Sequence, residues 1–168
     1  MDATVAVLVE IVETFWTGFK RDLEDAAPGE IDWRPLPEAN SINLIVRHLC
    51  IDARWHAATL EEADETRIVP NAKMAVDSTA LDFSANLKEM EACLARIAAA
   101  LRHTSAADLR KRTAIAYPGG RADTHFLGYH FAAHLAMHWG QVRALRNLYR
   151  KSRGEPARFF PDNPTFPA

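Results

Sequence analysis

The chain has 168 residues, of which 48% are hydrophobic, and its formal net charge at pH 7 is −2. A chain of this length and composition can bury a substantial core, so we expect residues 1–168 to form a single domain. The small net charge argues against charge-driven binding to nucleic acid or to a membrane surface, and no apolar stretch approaches the ~20 residues of a membrane-spanning helix.

The first predicted helix covers residues 4–26. Its apolar residues recur at spacings of three and four: Val5, Leu8, Val12, Phe15, Phe19 and Leu23. The pair Pro28-Gly29 is expected to end this helix, since the two residues together indicate a turn. The segment that follows contains Pro35 and Pro37 and therefore cannot be regular helix.

Two further helices are predicted in the middle of the chain. The second begins at a cap formed by Asn40 or Ser41 and continues to about Asp64. A polar connection containing Pro70 follows, and the third helix extends from near Ser78 to residue 101. Its apolar stripe comprises Leu87, Met90, Leu94, Ile97 and Leu101.

The fourth predicted helix begins near Thr124, after a turn at residues 117–120, and ends at Gly154. The tail at residues 159–164 is predicted to be extended, because it contains Pro161 and Pro164. Four long helices and no predicted strands indicate an all-α fold. We expect a four-helix bundle with long connections and an extended C-terminal tail.

Helix 4 carries three histidines, His130, His134 and His138, which are one turn apart and share one stripe. That stripe projects toward the apolar side of the helix. The opposite side is basic, and we predict that it is a solvated face: Arg143, Arg146, Arg150 and Lys151. Buried imidazoles without partners cost about 1–3 kcal/mol each, and a metal ion would satisfy all three rings at once.

Helix 2 carries a second group of inward residues, His48 and His56 with Asp52 between them. Bundles commonly build metal sites from facing helices, and a catalytic zinc-type site uses three protein ligands with one open position. One histidine of helix 2 and an i, i+4 pair of helix 4 give that number. Cys50 points away from this face, and Leu135 stands where a His-Glu-x-x-His site would need glutamate.

The chain resembles the DinB-like superfamily of four-helix-bundle metalloproteins. Residues 40–49, which include His48, resemble the helix-2 segment of that superfamily. Residues 134–142 match its helix-4 pattern, His-x-x-x-His-x-Gly-Gln followed by an apolar residue. The resemblance implies that His48, His134 and His138 are the metal ligands. His130 precedes the matched pattern by one turn, so it is expected either to support a ligand or to lie on the substrate side.

Three other residues have two interpretations each. Asp52 either orients a ligand imidazole or pairs with a cation of helix 1 or helix 3. His56 either lies further along the same channel or is a hydrogen-bonded core histidine. Gln141, which belongs to the matched pattern, hydrogen-bonds either a ligand or a neighbouring helix.

Characterised members of the superfamily include thiol-dependent transferases and isomerases, and others are called hydrolases by analogy. The resemblance therefore implies a divalent-metal-dependent enzyme of the transferase or hydrolase type, which acts on a small electrophilic substrate. Zinc or nickel is the expected metal, with a low-molecular-weight thiol as a further cofactor. The alternative is a non-catalytic, metal-stabilised binding or stress-response module.

The remaining expectations concern assembly and location. Trp16, Trp139 and the Phe-rich tail offer surplus aromatic surface, which favours a homodimer. Two cysteines do not make a disulfide framework, and residues 1–4 lack the features of a signal peptide. We therefore expect a cytoplasmic protein with no nucleic-acid or membrane partner.

Overall fold

The computed structural model describes residues 2–61, 82–107, 113–114 and 122–159, with only the backbone described at 113–114 and 122–128. The helices of the described part are α1 (Ala3–Arg21), α2 (Pro28–Ile31), α3 (Ile42–Leu60), α4 (Phe83–Arg102) and α5 (Thr124–Ser152). Two short strands, β1 (Thr113–Ala114) and β2 (Ala122–Asp123), pair antiparallel, with residue 113 opposite 123.

The four long helices form a bundle, which confirms the predicted all-α fold. Helices α1 and α3 occupy diagonal corners, and each packs against both α4 and α5. The core between them is built from the apolar stripes of these helices, with Phe19, Leu49, Met90 and Leu135 among its fully buried side chains. This arrangement places α3 beside α5, so the inward histidines of the two helices can meet. None of the helices in the described part is long and apolar enough to cross a membrane.

Side-chain caps determine where three of the helices begin. Oδ1 of Asp2 accepts a hydrogen bond from the Thr4 amide at 2.9 Å, and Asp82 does the same for α4. Of the two predicted caps of α3, the structure uses Ser41, whose Oγ accepts from the Leu44 amide at 3.2 Å. These bonds satisfy amides that the first turn of a helix leaves without a partner.

The first connection differs from the prediction, because α1 ends at Arg21 rather than at residue 26. The side chain of Asp22 turns toward α5 and accepts hydrogen bonds from Trp139 Nε1 and Arg143 Nε, both at 2.6 Å. The pair Pro28-Gly29 does not end α1, because Pro28 begins the single turn of α2. Several predictions fall outside the described residues. They are the end of helix 2 near residue 64, the Pro70 connection, the start of helix 3 near residue 78, the turn at 117–120 and the tail beyond 159.

The basic side of α5 was predicted to be solvated, and at Arg146 that prediction is wrong. Arg146 is only 1% exposed, and its guanidinium binds both carboxylate oxygens of Glu30, at 2.6 and 3.2 Å. It also donates to Oδ1 of Asp25 at 3.0 Å and to the backbone oxygen of Asp22. A buried guanidinium needs such partners, and the connection between α1 and α3 supplies them.

The expected aromatic surface for a homodimer is also reduced. Trp16 is buried, at 6% exposure, and its ring stacks on Phe19 at a centroid distance of 5.6 Å. Trp139 is half-buried and lies against α1. Trp16 therefore gives no support to the predicted dimer. Two large apolar residues of α5, Met137 and Leu148, are about half exposed.

Gly18 allows α1 and α5 to approach closely. A Cβ added there would overlap the ring of Trp139, which the hydrogen bond to Asp22 holds in place. We expect Gly18→Ala to destabilise the protein by about 1–2 kcal/mol, because overpacking outweighs the gain in helix propensity. Urea unfolding measures the change.

Gly140 provides the matched control. It also lies within a helix, but a Cβ built there meets nothing within 4 Å. Gly140→Ala should therefore stabilise the protein by about 0.5–1 kcal/mol. Equal effects of the two substitutions would contradict the packing argument.

Candidate metal centre

The three histidines that the resemblance implies as ligands lie together between α3 and α5. Nε2 of His134 is 3.0 Å from Nε2 of His48 and 2.8 Å from Nε2 of His138. His48 comes from α3, while His134 and His138 are one turn apart on α5. The three Nε2 atoms therefore converge on one point, as the ligands of a metal ion would.

Hydrogen bonds on the other ring nitrogens determine the tautomers of two of these rings. Nδ1 of His134 lies 2.8 Å from Oδ2 of Asp52, and Nδ1 of His138 lies 2.7 Å from Oε1 of Gln141. Because carboxylate and amide oxygens are acceptors, both Nδ1 atoms carry a proton, so in the neutral form of each ring Nε2 presents a lone pair. Two lone pairs at 2.8 Å repel each other unless a metal ion or a proton lies between them. The residues present therefore fit a metal ion.

The fit requires a small adjustment. Donors on one tetrahedral ion, each about 2.1 Å from it, are about 3.4 Å apart. The rings would have to separate by about half an ångström, which small side-chain rotations provide.

Burial keeps two of these rings neutral. Burial is the main cause that lowers the pKa of His138 to about 4, and the neighbouring ring of His134 is the next. The hydrogen bond to Gln141 acts in the opposite direction and raises this pKa. Burial, and then His134, also lowers the pKa of His48. A neutral imidazole keeps the lone pair that a metal needs, so His48 and His138 are ready to bind a cation at pH 7 without losing a proton.

Asp52 lies one turn after His48 and is 4% exposed. Burial alone would raise the pKa of its carboxyl group, but the imidazoles of His56 and His134 outweigh burial and lower it. Asp52 is therefore an ionised carboxylate in the bundle interior. Its Oδ2 contacts Nδ1 of His134, and from this position it would orient that imidazole if His134 bound a metal.

His56 and His130 lie on the far side of Asp52 from the three Nε2 atoms. His56 is fully buried, and its Nδ1 donates to the backbone oxygen of Asp52 at 2.8 Å. Its Nε2 has no hydrogen-bond partner in the described part of the chain. The half-buried ring of His130 lies parallel to that of His56 at a centroid distance of 6.0 Å, and 5.5 Å from that of His134. His130 is thus beside the converging group and outside it.

Cys50 lies elsewhere, as predicted. It is buried against α4, and its Sγ donates to the backbone oxygen of Asn86 at 2.9 Å. Burial, and then the carboxylate of Glu89, raises the pKa of this thiol to about 12. Cys50 therefore remains protonated at neutral pH and is not a nucleophile.

One feature was not predicted from the sequence. Asp52, His130 and His134 form a second group of donors whose ligand atoms lie within 4.8 Å of one another. The available signal was the position of His130 one turn before His134, which places it near Asp52 when α3 and α5 are adjacent.

The contact of Asp52 leads to a prediction. We expect Asp52→Asn to weaken metal binding by about 10–100-fold, because the amide no longer holds Nδ1–H of His134 with a full negative charge. Competition with a chelator of known affinity measures the change. Asp82→Asn is the matched control, since Asp82 only caps α4 and should leave metal affinity unchanged. An unaffected affinity in Asp52→Asn would contradict the orienting role.

Comparisons with known proteins found a family model and a solved structure that are similar to this chain. A family model described as mycothiol-S-transferase matches residues 7–151. A solved structure described as the conserved protein of locus from Enterococcus faecalis superposes with a TM-score of 0.69 at 14% identity. The alignment covers 88% of this chain and 97% of that one, and at this identity it shows a shared fold. No curated protein matches the chain.

Proposed function

The chain belongs to the mycothiol-S-transferase family, and from that premise we propose that it transfers a low-molecular-weight thiol to a small electrophile at a divalent metal centre. The thiol would be mycothiol or a related compound. The observation that carries the proposal is the convergence of three Nε2 atoms from two helices, with those of His134 and His138 2.8 Å apart. In a thiol transferase, a metal ion at this point would hold the thiol.

In this proposal His48, His134 and His138 bind the metal, and the other residues support them. Asp52 and Gln141 fix the two rings of α5 by accepting from their Nδ1 atoms. When bound, a divalent ion lowers the pKa of a coordinated thiol, so that the thiol is a thiolate at neutral pH. Three protein ligands leave the fourth tetrahedral position free for that thiol.

The nucleophile has to come from outside the chain. Cys50 is buried against α4 and stays protonated, and the matched helix-4 pattern contains no glutamate that would act as a general base. A thiol cofactor supplies the missing nucleophile, which is why we favour transfer over hydrolysis. Zinc or nickel is the metal we propose, because both suit neutral imidazole ligands and the site shows no feature that tunes a redox potential.

A cobalt-substituted protein tests the proposal. We expect low-molecular-weight thiols to shift the d–d absorption of the bound Co²⁺, because thiolate replaces the ligand at the open position. His134→Ala should remove the effect. His103→Ala is the matched control, since this histidine is exposed at the C-terminal end of α4 and belongs to neither of the two groups of donors.

The same preparation separates the competing functions. Loaded with metal, it is offered several thiols together with a panel of small electrophiles and esters. Consumption of thiol and electrophile together supports the transferase, while hydrolysis of an ester without thiol would favour the hydrolase. A spectrum that no thiol changes, with no turnover above free-metal controls, would favour the non-catalytic module.

A further inference from the structure

The imidazole of His134 lies between two groups of donors. Its Nε2 faces His48 and His138, and its Nδ1 faces Oδ2 of Asp52 at 2.8 Å. His130 lies on the Asp52 side, with its ring 5.5 Å from that of His134. The two groups are the triad (His48, His134, His138) and the acidic group (Asp52, His130, His134).

The acidic group contains a buried negative charge. Asp52 is 4% exposed, and the groups that favour its ionised form are the imidazoles of His56, His134 and His130. Arg47 and Arg54, the arginines of α3, are paired with Glu89 of α4. A carboxylate that is 4% exposed has lost most of its hydration, and a cation bound at Asp52 would compensate for that loss.

We propose that Asp52, His130 and Nδ1 of His134 form an alternative position for a divalent cation, and that one ion occupies either this position or the triad. The inference rests on the proposed metal centre for its first position. The inference adds a second position for the ion, assigns a ligand role to His130 and makes His134 a ligand in both positions.

Mutual exclusion follows from the chemistry of one ring. With the ion at the triad, Nε2 of His134 donates its lone pair to the metal and Nδ1–H donates to Asp52. With the ion at the acidic group, Nδ1 gives its lone pair to the metal and the proton resides on Nε2. That Nε2–H then donates to Nε2 of His138, which is already at a hydrogen-bonding distance of 2.8 Å. The proton changes place within the ring, and none is gained or lost.

We expect the acidic group to be the weaker position. An ion there must displace the hydrogen bond between Nδ1 of His134 and Asp52 and move the ring proton to Nε2. The three Nε2 atoms of the triad already converge, so the triad should hold the ion at equilibrium.

Removing the triad while keeping the acidic group tests the proposal. We expect the full-length variant His48→Gln/His138→Gln to bind one Cu²⁺ or Zn²⁺ per chain, more than about 100-fold more weakly than the wild type, because two ligands of the triad are lost. Adding His130→Ala should weaken the residual binding by at least a further tenfold. Equilibrium dialysis gives the stoichiometry, and the Cu²⁺ electron paramagnetic resonance spectrum should show mixed nitrogen and oxygen ligands. If the double variant does not fold, His48→Gln alone is used, since His48 is half-buried and tolerates change more readily.

The outcomes distinguish this inference from the proposed function. A wild-type protein that binds no divalent ion would overturn both. One ion in the wild type and none in the folded double variant would overturn the alternative position alone. Residual binding that His130→Ala does not change would also overturn it, because the ion would then be held by other residues.

Discussion

We expect His138→Ala to abolish tight binding of a divalent metal, and His48→Ala to do the same. Each substitution removes one of the three Nε2 atoms that converge in the structure and leaves two. The loss of affinity should exceed the ~100-fold that removal of a supporting residue causes, because a ligand itself is lost. Elemental analysis after gel filtration of protein prepared without an affinity tag measures the retained metal.

His130→Ala is the control for this experiment. His130 is on the same stripe of α5, one turn before His134, but it lies outside the triad. The variant should retain about one ion per chain, as the wild type does. An essential His130 together with a dispensable His138 would show that the ligand assignment along α5 is wrong by one turn.

The main helices and the converging histidines could be predicted because both depend on local periodicity. An apolar stripe and a set of histidines that repeat every three or four residues show which side of a helix faces inward. Periodicity left both histidines of α3 and all three of α5 as candidates, and the resemblance singled out His48, His134 and His138. The N-cap of α3 could also be predicted, because a serine before an apolar run is a local signal. Ser41 was one of the two predicted caps.

The features that could not be predicted depend on partners distant in the sequence. The pattern of α5 alone predicts that Arg146 belongs to a solvated basic stripe. The prediction fails because the groups that bury Arg146, Glu30 and the backbone of Asp22, lie more than 100 residues earlier in the chain. The sequence predicts that Trp16 is exposed aromatic surface, whereas in the structure Phe19 and other core residues bury it. The second donor group has the same origin, since the position of His130 indicates a neighbour in Asp52 only once α3 and α5 are known to be adjacent.

The burial of Arg146 gives the second large effect. We expect Arg146→Met to destabilise the protein by about 3–5 kcal/mol, because Glu30, itself 4% exposed, would lose the cation that binds both of its oxygens. This is a substantial part of the roughly 5–15 kcal/mol that stabilises a typical domain. Urea unfolding of the variant and the wild type, followed by circular dichroism, measures the difference.

Two companion variants identify the cause. Arg150, one turn further along α5, pairs with Glu155 near the surface, so Arg150→Met should cost less than about 1 kcal/mol. Adding Glu30→Gln to Arg146→Met removes the unpaired buried charge, so the double variant should be more stable than Arg146→Met alone. The amide oxygen of the glutamine can still accept from the Ala27 amide, as Glu30 does. A double variant less stable than Arg146→Met would mean that the arginine acts by filling space between α5 and the α1–α3 connection. The buried charge of Glu30 would then not be the source of the loss.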